Sequence, residues 1–139
     1  MNESKTITLE TLVSVSLDKA WETWIQPQHV TQWNFASPYW HCPSAQTDLR
    51  IGGKFSSRME ARDGSFGFDF WGIYDEIIPQ KLLRITMGDG RKMEVHFETL
   101  NGKVKVTERF EIEDLNSAEM QREGWQAILN NYKAYAERR

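Results

Sequence analysis

Apolar side chains first recur at every second position. Ile7, Leu9, Thr11, Val13 and Val15 alternate with polar residues, broken only by Leu12, and predict a strand with one buried face. The period then changes: Ala20, Trp21 and Trp24 lie three and four apart. This spacing predicts a short helix over residues 18–25, capped by Asp18 and ended by Pro27. A second short helix is predicted over 28–33, and residues 34–45, which hold Pro38 and Pro43, read as a loop.

Strands follow. The run Asp48-Leu49-Arg50-Ile51 is expected to begin them, with Gly52-Gly53 interrupting and Phe55, Ser57 and Met59 sharing one face. Asp63-Gly64 signals a turn. Phe66, Phe68 and Phe70 then recur at period two, in a strand running on to Tyr74 and Ile77 and closed by Pro79. Residues 82–87 form the next strand, and Gly88-Asp89-Gly90 turns it. Met93, Val95 and Phe97 alternate with Glu94, His96 and Glu98. Asn101-Gly102 is a hairpin turn, after which Val104, Val106, Phe110 and Ile112 share a buried face. The last segment returns to helical spacing: Met120, Trp125, Ile128, Leu129, Tyr132 and Ala136 form a stripe, with Asn116 and Glu119 placed as a capping box and Arg138 and Arg139 at the dipole's negative end. The predicted order is strand, two short helices, six strands and a long helix. Hairpin-linked strands make the sheet antiparallel and the class α+β.

The chain's 139 residues, 40% hydrophobic and 27% charged, fit one domain spanning 1–139. A net charge of −3 with interspersed signs argues against a nucleic-acid partner. No apolar run approaches the roughly 20 residues of a membrane span, so no membrane insertion is expected. Met1 to Lys5 shows no leader-like pattern, and with the single Cys42 a cytoplasmic setting is expected. Six tryptophans and seven phenylalanines are many for this length and build either a heavy core or the wall of an apolar cavity.

Several segments in this order carry a resemblance. They are Val15 with Asp18, Ala20 and Trp21; Trp33; the run Asp48-Leu49-Arg50-Ile51-Gly52-Gly53-Lys54-Phe55; Gly72 with Glu76-Ile77, Pro79 and Leu82-Leu83; Val95 with Phe97; Val104 with Val106-Thr107; and Gly124-Trp125 with Leu129. Together they resemble the START-like helix-grip (SRPBCC) superfamily, in the bacterial branch similar to the C-terminal domain of the activator of heat-shock protein 90 ATPase. The resemblance implies a helix-grip fold, in which a curved antiparallel sheet wraps around the long C-terminal helix and encloses a cavity. It also implies a possible chaperone-like protein partner.

Candidate chemistry is sparse. Asp48-x-Arg50-x-Gly52-Gly53 lacks the lysine and following helix of a phosphate loop, so the glycines are expected to shape a bulge or bend, with Asp48 and Arg50 paired on one side. His29, His41, Cys42 and His96 lack metal-ligand spacing, and neither metal nor cofactor is expected. Glu108 shares the buried face of Val104, Val106, Phe110 and Ile112. It reads as half of an internal ion pair, with Arg84 as a candidate partner, as a group near the pocket mouth, or as a polar anchor for a ligand. Trp21 and Trp125 read as packing residues, and Trp33, Phe35 and Trp40 flank the loop at the expected cavity entrance.

The expected ligand wall comprises Trp33, Phe35, Phe68, Phe70, Met87, Phe97, Glu108 and Trp125. The leading functional expectation is a monomer that binds a small hydrophobic or aromatic molecule, lipids included, in an internal cavity. Two alternatives stand beside it. One is a protein-interaction module related to chaperone ATPase activation. The other is a cyclase- or hydrolase-type enzyme, for which only Glu108 and Tyr74 offer acid–base groups.

Overall fold

A computed structural model describes residues 5–139. The reading of the first four positions as lacking a leader therefore lies outside the described residues. Ten elements follow in order: β1 (Thr6–Val13), α1 (Leu17–Ile25), α2 (Pro27–Trp33), β2 (Trp40–Thr47), β3 (Lys54–Ala61), β4 (Gly67–Ile78), β5 (Leu82–Met87), β6 (Lys92–Leu100), β7 (Lys103–Glu111) and α3 (Ala118–Arg138). All seven strands join one antiparallel sheet in the order β1-β7-β6-β5-β4-β3-β2. Five hairpin-linked strand pairs run down the sheet from β2 to β7, and β1 adds to the far edge beside β7. The sheet curls around α3, which gives the α+β helix-grip arrangement.

Period-two patterning decides which side chains enter the concave face. On β7, Val104, Val106, Glu108 and Phe110 are buried while their neighbours are not. Leu9 and Val95 flank Glu108 on the adjoining strands. The β6–β7 turn holds Asn101 at φ 52 and Gly102 at φ 78, the left-handed pair that a two-residue hairpin needs.

Because β1 and β2 are opposite edges of the sheet, α1 and α2 carry the chain across its open end. One buried hydrogen bond ties this crossing to α3, and another ties its two helices together. The Tyr132 hydroxyl donates to the Ala20 carbonyl at 2.7 Å, and the Trp33 indole N–H donates to the Thr23 carbonyl at 3.0 Å. Leu129, Tyr132 and Ala136 are fully buried where α3 meets this layer and β1.

Four local expectations are corrected. The segment read as a loop contains β2, whose Pro43 sits where the β2–β3 register shifts between His41 and Ser44. Residues 48–51 are a turn rather than a strand: Asp48 N–H bonds the Lys54 carbonyl, and Ile51 is 65% exposed. The Asp48–Arg50 pair does form, at 2.8 Å across that exposed turn. The caps are Ser16 and Ser117, whose hydroxyls accept from Lys19 and Met120 N–H, in place of Asp18 and Asn116. Met120 is exposed, and Gln121 is the residue buried in the first turn of α3, where its amide holds the Glu113, Asn116 and Ser117 carbonyls.

Candidate functional site

A cavity of about 670 Å³ lies between α3 and the concave face of β2–β7. It exists because α3 leans to one side: its buried stripe packs on β1 and the short helices. The space over the middle and far strands is only partly filled, Trp125 being the α3 ring that reaches across it to Phe70 and Phe110.

Aromatic rings form a large part of the wall, beside aliphatic side chains such as Val30, Leu83, Ile85 and Ile128. Trp24 and Trp33 come from the short helices, Phe55 from β3, Phe68, Phe70 and Tyr74 from β4, and Trp125 from α3. Trp125 stacks on Phe110 with centroids 3.8 Å apart and meets Phe70 edge-on at 6.0 Å. Trp24, Trp33 and Tyr132 form a mutually packed group with centroids 5.0–5.2 Å apart. Gly124, one turn from Ile128 on the same helix, also faces the cavity, and a Cβ there would meet nothing within 4 Å.

Polar side chains interrupt the apolar wall at several points. Tyr74 is buried, and loss of hydration pushes its phenol up to about 12 against a hydrogen bond with Thr47 that acts the other way. Glu108 is 5% exposed, and burial pushes its carboxyl up to about 8. Among the described residues, Glu108 takes part in no hydrogen bond or ion pair. Arg91, Glu113 and Asn116 also line the cavity, from the β5–β6 turn and the approach to α3. The Arg91 guanidinium is held by Asp89 at 2.7 Å and by the Glu111 carbonyl at 3.1 Å.

Of the eight residues expected to line a ligand site, Trp33, Phe68, Phe70, Glu108 and Trp125 come together around this cavity. The other three do not line it. Phe97 is covered by Trp21 at 5.3 Å and Trp24 at 6.1 Å, so α1 fills the space over that part of β6. Met87 is buried at the end of β5, opposite Gly72. Phe35 is half-buried in the α2–β2 connection, where its carbonyl accepts from the Asn131 amide at 2.7 Å. The expected Glu108–Arg84 ion pair is absent, because Arg84 points to the convex side and pairs with Glu76 at 2.9 Å.

Trp40 lines the cavity from β2, with Phe68 and the exposed Phe66 around it at 6.0 Å centroid distances. Phe55, Ser57 and Met59, assigned one face by their alternation, share the β3 part of the wall. Trp24 and Tyr74 were open to the same periodicity but not singled out as lining. The histidines and Cys42 lie elsewhere: His29 bonds Tyr135 at 2.8 Å, His96 is 3.7 Å from Glu94, and the Cys42 thiol faces the Ser44 carbonyl at 3.4 Å.

Residues 14–137 match the family model described as "Activator of Hsp90 ATPase homolog 1-like protein". No curated protein matches the chain. Among solved structures, the AHSA1-like protein from Aeromonas hydrophila is 36% identical and superimposes with a TM-score of 0.89, over 95% of this chain and 92% of that one. A solution structure from Cytophaga hutchinsonii is 43% identical with a TM-score of 0.84, covering 96% and 93%. A crystal structure from Nitrosomonas europaea, 16% identical with a TM-score of 0.83 over 99% and 97%, shares the fold.

Proposed function

The chain belongs to the Activator of Hsp90 ATPase homolog 1-like family, and from that premise we propose that it binds a small hydrophobic or aromatic molecule in the cavity between sheet and helix. One observation carries this reading: the interior is not packed solid but keeps about 670 Å³ open behind an aromatic wall. That volume lies within the roughly 300–1,000 Å³ of small-molecule sites, and such sites combine apolar walls with a few placed polar groups. Tyr74 and Glu108 are such groups. They stand on strands three places apart, an arrangement suited to contacting two parts of one ligand.

A second reading draws on the cavity's surroundings. Phe66 and Phe68, whose rings are 6.2 Å apart, and Leu115 and Met120 are exposed, and exposed apolar side chains favour contact with another protein. Under it the family's chaperone-linked name points to the partner class, and the cavity is incidental.

Titration with a panel of fatty acids, flavonoids and aromatic acids separates the two, read by tryptophan emission and amide chemical shifts. Saturable shifts at Trp33, Phe70 and Trp125 are expected. If no member of the panel perturbs the cavity residues, the ligand-binding reading gives way to the interaction reading.

A further inference from the structure

We propose that the cavity selects hydrophobic organic cations, seating an ammonium group among its aromatic rings with the Glu108 carboxylate as counter-charge. This inference rests on reading the cavity as a ligand site and names the chemical class of its ligand.

Two features of the wall point to a cation. The first is the kind of apolar surface. Trp24, Trp33, Trp40, Phe70, Tyr74 and Trp125 border one space. Ring faces attract ammonium groups through their quadrupole, most strongly where water is excluded. Aliphatic walls would serve a neutral hydrocarbon equally well and offer a cation nothing.

The second is a missing charge. Glu108 is buried on the cavity wall with no hydrogen-bond or ion-pair partner among the described residues. The elements packed about it supply none: β1 contributes Leu9, β6 contributes Val95, and the cavity-facing residues of α3 are Met120, Gln121, Gly124, Trp125 and Ile128. Tyr74, Arg91 and Glu113 are the other titratable groups on the wall, and Arg91 is already engaged by Asp89 and Glu111. A buried carboxylate without a counter-charge is costly, and its removal from the ionised state is the usual relief. A ligand that brings the cation relieves the same cost. A carboxylate ligand would instead place two acids in one apolar space.

This arrangement couples binding to a proton. In the free protein burial holds the Glu108 carboxyl protonated up to about pH 8. Binding an ammonium group expels that proton, so the complex carries one proton fewer on Glu108 than the free protein. Affinity for a cation must therefore rise with pH below about 8 and level off above it. An alkylammonium probe stays charged across that window, since its own pKa is roughly 10.

Three probes of one shape test this on the full chain: naphthylethylamine, naphthylethanol and naphthylpropionate, titrated calorimetrically between about pH 6 and pH 9. The amine is expected to bind roughly tenfold tighter than the alcohol above pH 8, and to gain nearly tenfold in affinity per pH unit in the acid part of the range. In Glu108→Gln the amine's advantage over the alcohol and its pH dependence should both disappear. The wild-type pH profile stands alone as a test if that variant does not fold. Tight binding of the alcohol or the propionate with no preference for the amine overturns the cation proposal and leaves the cavity a ligand site. So does a flat pH profile for the amine. Failure of all three probes to bind overturns the proposal and counts against the ligand-site reading as well.

Discussion

Glu108 is a carboxyl group where the β7 alternation otherwise places Val104, Val106 and Phe110. Its folded-state pKa of about 8 lies above the roughly 4.3 of an unfolded glutamate, so the native state holds the proton more tightly. The stability this supplies is fully present below the unfolded value and is lost as pH rises through the folded one. Between those limits stability should fall with pH by up to ~1.4 kcal/mol per unit. Urea midpoints measured across that window should decline in the wild type and stay nearly level in Glu108→Gln. Parallel profiles for the two proteins would show that Glu108 is ionised at no cost. The inward position of Glu108 was legible from parity alone. So, in hindsight, was the failure of its pairing with Arg84: Leu83 and Ile85 face inward, which turns Arg84 outward to Glu76 and Glu94.

At the scale of elements, periodicity identified six of the seven strands and all three helices, and the one exchange has a local cause. The strand β2 reads Trp-His-Cys-Pro-Ser-Ala-Gln-Thr, which has no apolar alternation and contains a proline. Proline is tolerated there because β2 is an edge strand with a register shift at that point, so no ladder hydrogen bond is lost from a central strand. The apolar Leu49 and Ile51 suggested a strand instead, but they sit on an exposed turn in which Gly52 adopts φ 84. The long helix α3 carries an anomaly of the opposite kind. Gly124 lies within it although glycine weakens a helix interior by about 1 kcal/mol relative to alanine. A Cβ there would meet nothing within 4 Å, since the residue borders the cavity. Gly124→Ala should therefore stabilise the protein by about 1 kcal/mol, read as a higher melting temperature. A lower melting temperature would mean that the helix approaches the sheet more closely than this geometry allows.

For the molecule as a whole, the order of elements was legible because each hairpin turn is local. The shape of the interior was not, because it depends on where α1 and α3 come to rest on the sheet. Phe97 has the parity of a wall residue, yet Trp21 and Trp24 cover it, while the cavity opens over the strands that α3 does not reach. The consequence is an uneven helix. Leu129, Tyr132 and Ala136 are fully buried, and Tyr132 is hydrogen-bonded to Ala20. Toward the N-terminal end, Met120 is 61% exposed, and Gly124, Trp125 and Ile128 border open space. Local opening follows the density of buried contacts, so the two halves should differ in stability. Amide hydrogen exchange is expected to be markedly slower around residues 129–136 than around 119–126. A ligand in the cavity supplies the contacts that the N-terminal half lacks, and it stabilises the closed state by RT ln(1 + L/Kd) at free ligand concentration L. Exchange at 119–126 should then slow on ligand addition, with little change at 129–136, whose opening is limited by its own packing. Uniform exchange along α3, unaltered by a molecule shown to bind, would mean that the helix opens as one unit and that the cavity does not set its local stability.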